Sequence, residues 1–258
     1  MKSFSIFRQF AWIWPLPLCA WLLIGGAAAP VSTVSTGQAT DWPADFAELR
    51  MAAGANDQAL WPIAAAASTL SVHVFRAGRA AKLGHNHVLN APKLSGWLRL
   101  PKDGLDESEL SATAFELSLR LDELQLDAPA ARAALGAGWA SSLGPDMIAA
   151  TRANMLGEAG LQAATYPLLR LRSLRIVGAH PKLAALVEIE LHGQRRQQWL
   201  ALDARRLKDG QGGQAGLSAR GALVVRQSDF GLIPFSIGGG LLAVQDELLI
   251  EFDLLAKP

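Results

Sequence analysis

The chain has almost no cysteine and no apolar run long enough to be typical of a membrane span. Its only cysteine, Cys19, lies inside an amino-terminal apolar segment that extends from Phe10 to Ile24 and contains two prolines. If this segment is removed on export, the mature chain has no thiol. Disulfides, cysteine-ligated zinc, iron–sulfur clusters and thiol catalysis are then excluded.

The chain also lacks an excess of either charge, with 24 Lys and Arg residues against 23 Asp and Glu residues and a net charge of +1. Without Lys2 and Arg8 of the amino-terminal segment, the 24 basic residues fall to 22. This balance argues against a nucleic-acid partner, which requires a concentrated basic surface. A scattered set of arginines could favour an anionic membrane surface, but interspersed acidic residues are more typical of the solvated side of strands.

Sequence motifs of common enzymes are absent as well. No P-loop, Gly-x-Ser-x-Gly elbow or His-Glu-x-x-His helix is present. Asp229-Phe230-Gly231 matches the kinase magnesium tripeptide by its letters only, and we interpret it as a bend between strands. Gly238-Gly239-Gly240 lacks the following helix that a phosphate site requires, so it predicts a loop at a barrel end. The sequence therefore favours a protein that is not an enzyme.

Three regions follow one another along the chain. Residues 1–29 are predicted to be a cleavable secretory signal with a basic start, an apolar centre and a small-residue cleavage site, which predicts a periplasmic protein. An uncleaved anchor is the alternative. Residues 30–60 are predicted to be a linker, with a short helix that could begin after Asp41 and end at Gly54. Residues 61–258 form the predicted main domain.

Alternation of apolar and polar residues with period two dominates this domain. Phe115, Leu117 and Leu119 share one face of an extended chain, and Glu116 and Ser118 share the other. Further segments repeat the pattern at 185–192, 220–226 and 248–254. Strands with one dry and one wet face are typical of antiparallel sheets. We predict an all-β fold: a closed antiparallel barrel of about eight strands, since closure removes exposed sheet edges.

A short helical insert interrupts the predicted strands. Asp127-Ala128-Pro129 predicts a helix start, and residues 130–139 are rich in alanine. A second helix is predicted from Met147 to Leu156, where Gly157 ends it. The favoured interpretation is that this helix packs on the barrel. The alternative is a lid over the mouth of a cavity.

His85-Asn86-His87 is the most distinctive polar cluster. On an extended backbone, His85 and His87 would face one space together. A catalytic zinc site usually needs a third protein ligand, for which His73 is the candidate. We do not predict a metal, because the two histidines could equally form hydrogen bonds within the fold or line the mouth of a cavity.

Several segments, in their order and spacing, resemble the YceI-like family of secreted, lipocalin-like proteins. The segments that carry the resemblance are Gly84-His85-Asn86-His87, Leu94-Ser95-Gly96-Trp97, Ala164-Thr165-Tyr166-Pro167, Leu191-His192-Gly193 and Gln227-Ser228-Asp229-Phe230-Gly231. The resemblance extends over about 61–256. It implies a lipocalin-like barrel, export to the periplasm and binding of a long isoprenoid, such as a polyprenyl chain or a quinone tail. The insert at 127–157 and details of the Gly84–His87 block depart from the family pattern and indicate a divergent branch, so the resemblance does not fix the identity of the ligand.

We therefore predict a periplasmic binding protein that holds a long isoprenoid or quinone-like amphipathic lipid in an apolar cavity, with no other cofactor. Phe75, Trp97, Phe115 and Leu117 are the predicted wall, and His85 and His87 are predicted to lie near the polar head of the ligand. The alternatives are a metal-dependent enzyme or redox protein that uses His85 and His87, and a structural or partner-binding secreted protein with a solid core. A homodimer and a transient contact with a membrane surface are both compatible with the sequence.

Overall fold

A computed structural model describes residues 58–101, 110–208 and 214–258. The predicted signal and the helix near Asp41 lie outside these residues, as do most of the predicted hairpin connections at 101–108 and 209–216. The strands are β1 (Gln58–Pro62), β2 (Thr69–Ala77), β3 (His87–Asn90), β4 (Ser95–Pro101), β5 (Ala114–Arg120), β6 (Gln125–Leu126), β7 (Leu168–Ala179), β8 (Lys182–Leu191), β9 (Gln194–Lys208), β10 (Gln214–Arg226), β11 (Ser236–Ile237) and β12 (Leu242–Ala256). The α-helices described are α1 (Pro129–Ala134) and α2 (Pro145–Leu156). In the described ranges, no helix combines the length and apolar character that crossing a membrane requires.

The strands form one antiparallel sheet in the order β1-β4-β5-β7-β8-β9-β10-β12-β2-β3-β6, with β11 beside β12. The sheet curls until its two nominal ends rejoin it. Ile63, just after β1, bridges to Ala256 at the end of β12, and the Ala64 amide donates to the Leu255 carbonyl at 2.7 Å. At the other nominal end, β6 follows β5 along the chain after a single 3₁₀ turn at Leu121–Glu123. The hydrogen bonds between the residues after β1 and the end of β12 complete the ring.

The predicted all-β, lipocalin-like antiparallel barrel is confirmed, and its strand count needs a correction. In the residues that the structure describes, the sheet has 12 strands instead of about eight. The extra strands are short, because β1, β3, β6 and β11 have five, four, two and two residues. Such short pieces carry too little alternation to be recognised from sequence. The strand β1 also begins at Gln58, so it includes the last three residues of the predicted linker.

Strand β8 shows how alternation builds the core. Ala185, Val187 and Ile189 are buried and belong to the apolar core. Glu188 and Glu190, between and beyond them, lie on the outer face and pair with arginines of the neighbouring strands: Glu188 Oε1 lies 2.8 Å from an Arg172 guanidinium nitrogen, and Glu190 Oε2 lies 3.0 Å from Arg195 Nε. The dry face therefore points into the barrel, as the alternation predicts.

The two halves of the helical insert have different positions. Helix α1 ends at Ala134, five residues before the predicted end, and Gly136 then adopts a positive φ of 82°. The chain that follows α1 places Trp139 edge-on against Phe75 on the outer face of β2, with ring centroids 6.0 Å apart. Helix α2 ends at Leu156 as predicted, and three of its side chains line the interior of the barrel. The first half packs on the outside of the barrel, and the second half covers one end.

Two glycine-containing segments are turns, as predicted. The Asp229-Phe230-Gly231 segment is part of a 3₁₀ turn at Gln227–Phe230, which ends where Gly231 adopts a φ of 71°. Phe230 is fully buried, so this segment anchors the end of β10 in the core. Gly238, Gly239 and Gly240 all have positive φ and connect β11 to β12.

Candidate ligand-binding cavity

The barrel encloses an elongated cavity with a volume of about 410 Å³. All eight long strands contribute lining residues, most of them Leu, Ile and Val, and none of the described lining residues is Lys, Arg, Asp or Glu. The lining extends from Leu217 and Ala256 at one end to His87 and Gln227 at the other. A cavity this apolar favours a hydrocarbon ligand, since it offers no counter-charge and few hydrogen-bonding groups.

Four polar lining residues share one end of the cavity. The antiparallel order brings together the end of β2, the start of β3, the end of β10 and the start of β7. His87 begins β3, Gln227 follows β10, and Thr151 and Asn154 lie on α2, which leads toward β7. We call the end that these four residues line the polar end. Thr113 and Ser118 are the other polar lining residues.

His87 is held at the polar end by a buried carboxylate. Its Nδ1 atom lies 2.6 Å from Oδ2 of Asp127, whose side chain is fully buried. The other carboxylate oxygen, Oδ1, accepts hydrogen bonds from the Val88 amide at 3.1 Å and from Arg132 at 2.7 Å. No hydrogen bond joins Nε2 of His87 to another described residue. The ring therefore has a fixed orientation and one nitrogen available to a ligand.

Asp127 is ionised in this setting. Burial alone would raise its pKa, but the hydrogen bonds from His87, the Val88 amide and Arg132 together outweigh burial and hold the pKa below its usual value. An ionised Asp127 accepts a hydrogen bond from the protonated Nδ1 of His87. Because a neutral imidazole carries only one N–H, Nε2 of the neutral ring is then a hydrogen-bond acceptor. The protonated ring would present Nε2 as a donor.

Arg132 connects this pair to the insert. Its guanidinium is buried, donates to the Asn86 carbonyl at 2.7 Å and to the Ser141 hydroxyl at 2.9 Å, and forms the ion pair with Asp127. Asp127 itself has a positive φ of 53°, an uncommon conformation for a residue with a side chain. Sequence reasoning assigned Asp127 only to the start of a helix and missed its contacts with His87, the Val88 amide and Arg132. The α1 cap position is in fact Ala128, so Asp127 is free to bind His87.

His85 does not share the space that His87 faces, contrary to the sequence-based expectation. The strand β3 begins at His87, so His85 lies before the strand and outside its alternation. His85 Nδ1 lies 3.0 Å from the Ser141 hydroxyl of the insert and is not among the cavity-lining residues. Burial, followed by the nearby His87, Arg132 and Arg76 side chains, lowers the pKa of His85.

The predicted wall residues fall into two groups, according to whether the side chain faces into or out of the barrel. Phe115 and Leu117 line the cavity. Phe75 does not, because Val74 takes the inward position in β2 and turns Phe75 outward onto Trp139. Trp97 is likewise corrected: Leu98 faces inward, and the Trp97 indole donates to Glu116 Oε2 at 3.1 Å on the outer face. Aromatic size suggested a wall, but the period of the strand decides which side chain faces the cavity.

A metal centre at these histidines lacks a third donor in the described part of the chain, where no group of three His, Cys, Asp or Glu side chains could hold an ion. The candidate third ligand, His73, lies on the outer face of β2. Its Nε2 is 2.9 Å from Glu251, and its ring packs edge-on against Trp139 at 5.4 Å.

Comparison with solved structures identifies the fold. BcnA of Burkholderia cenocepacia aligns over 76% of this chain and 99% of its own, with 16% identity and a TM-score of 0.50. The chain has the fold of BcnA. Two crystal structures of the YceI protein of Campylobacter jejuni are also similar, one of a cysteine mutant at 10% identity and TM-score 0.47 and one at 11% and 0.46, each covering 66% of this chain and 84% of its own. The barrel that the resemblance seen in the sequence implies agrees with the fold of BcnA. No family model and no curated protein matches the sequence.

Proposed function

We propose that the protein is an exported, periplasmic binding protein of the YceI-like kind, which holds a long isoprenoid or quinone-like amphipathic lipid. The observation that carries the proposal is the uncharged cavity of about 410 Å³ inside the barrel. This volume lies within the range of about 300–1,000 Å³ found for small-molecule sites. It also argues against the alternative of a protein whose core is packed solid.

The apolar lining favours a long chain over a short one. Burying apolar carbon contributes about 0.8 kcal/mol per CH₂, or roughly 4 kcal/mol for each five-carbon isoprene unit. Binding costs an estimated 4–15 kcal/mol in lost freedom of motion, to which the ordering of a flexible tail adds. One or two units would barely offset this cost. Several units, buried along the cavity from the polar end toward Leu217, would give useful affinity.

His87 supplies the polar contact for the head group. In its neutral form, Nε2 accepts a hydrogen bond, which suits a head group that carries a hydroxyl, as in a prenol or a quinol. Asn154 and Gln227 also line the polar end, and Asn154 adds an amide donor and acceptor, whereas Gln227 Nε2 already donates to the Gln245 carbonyl at 2.7 Å. We therefore place the head of the ligand at the polar end and its tail toward the apolar end. The proposal is one of binding, and it assigns no catalytic step to His87.

Extraction and uptake test the proposal directly. Protein purified without detergent from cells that express the full chain is extracted with organic solvent, and the extract is examined by mass spectrometry. Uptake of added ubiquinone and of a long polyprenol is then measured. We expect a co-purified isoprenoid or saturable uptake of one of the two. A cavity that is empty in every preparation and takes up neither compound would overturn the proposal.

Two substitutions on β10 provide a matched test of where the ligand sits. Ala219 lines the cavity, whereas Ala222 lies on the outer face of the same strand and is exposed. Ala219→Phe should fill part of the cavity and abolish uptake, and Ala222→Phe should leave uptake unchanged. Urea unfolding of both variants checks that the barrel is intact. If both variants bind equally well, the ligand is not inside the barrel.

A further inference from the structure

Two short segments of the described residues carry the two most exposed large apolar side chains, Ile233 and Leu83, and three further exposed ones. The exposed fractions are 83% for Ile233 and 75% for Leu83, the two highest among the large apolar residues. Phe235, Ile237 and Leu241 are also 45–49% exposed. Five large apolar side chains held in water in one region exceed what scattered surface residues usually show, and such patches mark contact sites.

These two segments form one surface. The Arg79 amide donates to the Gly240 carbonyl at 3.1 Å, and the Ala80 amide donates to the Leu241 carbonyl at 2.9 Å. We define the apolar rim as residues 78–84 and 231–242. The rim is backbone-paired across its two segments, so its apolar side chains are presented by ordered backbone.

The rim is continuous with the cavity. Leu232, Ile233 and Phe235 are cavity-lining residues. Of these, Ile233 and Phe235 are also exposed to solvent. The rim follows β10 and precedes β12, so it lies at the polar end, where His87 is located. A hydrocarbon chain that crosses the rim would therefore pass from one apolar surface to another without entering water.

Charge identifies the partner. The rim contains two cations, Arg79 and Lys82, both exposed, and no Asp or Glu. Asp229 and Glu247, both exposed, lie just outside the rim; Glu247 is 3.7 Å from Arg226, and Asp246 accepts hydrogen bonds from Ser228 and from Arg226. Apolar side chains beside cations, with no acidic residue in the rim itself, suit an anionic bilayer. The apolar side chains would enter the acyl region, and the cations would contact lipid phosphates. A second copy of the chain fits less well, since a two-fold contact would bring cations against cations.

We propose that the apolar rim docks the polar end of the barrel on the surface of an anionic lipid bilayer, from which the cavity exchanges its lipid. The proposal rests on the proposed function, since it names the place where an isoprenoid-like ligand enters. In the docked arrangement Ile233 and Phe235 lie below the headgroups, and Arg79 and Lys82 contact lipid phosphates.

Vesicle flotation tests the docking. Protein from cells that express the full chain is mixed with vesicles of phosphatidylglycerol and phosphatidylcholine, or of phosphatidylcholine alone, at low and high salt. We expect flotation with the anionic vesicles and much less with the neutral ones. Because exposed charges are screened by salt, flotation with anionic vesicles should weaken at high ionic strength.

Two double variants separate the apolar and charged parts of the rim. Arg79→Glu with Lys82→Glu should lower binding to anionic vesicles by about tenfold or more. Ile233→Ser with Phe235→Ser should lower binding to both kinds of vesicle. The matched controls lie at the opposite end of the barrel: Lys208→Glu with Lys257→Glu, and Val177→Ser with Leu207→Ser, where all four residues are exposed. The controls should bind as the unmodified protein does.

The outcomes distinguish this inference from the proposed function, because prenol uptake from ethanolic solution is measured on the same samples. The docking is overturned if the protein does not float with vesicles, or if the rim variants and the control variants lose flotation equally. In that case prenol uptake can persist, and the proposed function then stands. Flotation lost only in rim variants supports the docking, even if no prenol is taken up and the proposed function fails. A dimer in vesicle-free solution that the rim serines dissociate identifies a second copy as the occupant and overturns the proposal.

Discussion

Nδ1 of His87 lies 2.6 Å from Oδ2 of Asp127, across 40 residues of sequence, and this contact joins the barrel to its insert. Asp127 also accepts from the buried guanidinium of Arg132, so one carboxylate orients a histidine and neutralises an arginine. The insert therefore fixes the orientation of a cavity-lining histidine, because Asp127 holds Nδ1 of His87.

Replacing Asp127 with Asn should destabilise the fold strongly. The amide removes the charge that offsets Arg132, and a buried cation without its partner typically costs about 3–5 kcal/mol. Urea unfolding measures the change. The matched control is Glu123→Gln, which breaks the ion pair of Glu123 with the largely exposed Lys93 and should cost less than about 1 kcal/mol. Equal effects of the two substitutions would mean that the Asp127 cluster contributes little to stability.

The same carboxylate should make stability depend on pH in the acid range. The pKa of folded Asp127 is below its usual value of 3.8, so the folded state binds the proton less readily than the unfolded state. Its contribution is fully present above the unfolded pKa and is lost as the pH falls through the folded pKa. Unfolding free energies of the unmodified protein and of Asp127→Asn, measured from neutral pH downward, should therefore converge below about pH 4. A constant difference across this range would contradict the assignment.

Substitution of His87 should weaken the binding of ligands that have a polar head and should not weaken the binding of ligands that lack one. His87→Leu removes the Nε2 acceptor, and the loss of one hydrogen bond corresponds to about 1 kcal/mol, or roughly fivefold in affinity. A polyprenol should show this loss, whereas squalene, which has no head group, should bind at least as well as before. His85→Leu is the control, because His85 contacts Ser141 and does not line the cavity. Competition against a fluorescent lipid probe gives both affinities.

The strands and the barrel could be predicted from the sequence because apolar and polar residues alternate with a period of two in segments such as β8. The direction of individual side chains could not. The choice of Phe75 and Trp97 as wall residues followed side-chain size, whereas the register placed Val74 and Leu98 inward. The Asp127 contact was also beyond sequence reasoning, since it depends on where the insert folds back.

Gly221 offers a test of how tightly the barrel wall is packed. A Cβ at this position would lie 2.5 Å from the Ala201 carbonyl oxygen and 2.6 Å from the Phe252 ring. Gly221→Ala should therefore cost about 1–3 kcal/mol, because the backbone of the neighbouring strand cannot move away easily. At Gly138 a Cβ meets nothing within 4 Å, so Gly138→Ala should be neutral or slightly stabilising. Thermal unfolding of both variants provides the comparison. Equal melting temperatures would show that the neighbouring strands shift and accommodate the added methyl group.

Glu116 should produce the opposite pH dependence to Asp127. Burial raises its pKa, and the hydrogen bond from Trp97 together with Arg172 and Arg170 offsets this only in part. An acid whose folded pKa is raised stabilises the fold most below its unfolded pKa, and the benefit is lost as the pH rises through the folded value. Glu116→Gln keeps an oxygen for the Trp97 indole and removes the ionisation. Relative to the unmodified protein, this variant should gain stability as the pH rises from about 4 toward neutral. Glu116→Leu, which removes the acceptor as well, should be about 1–2 kcal/mol less stable than Glu116→Gln at every pH, because it leaves the indole N–H unpaired.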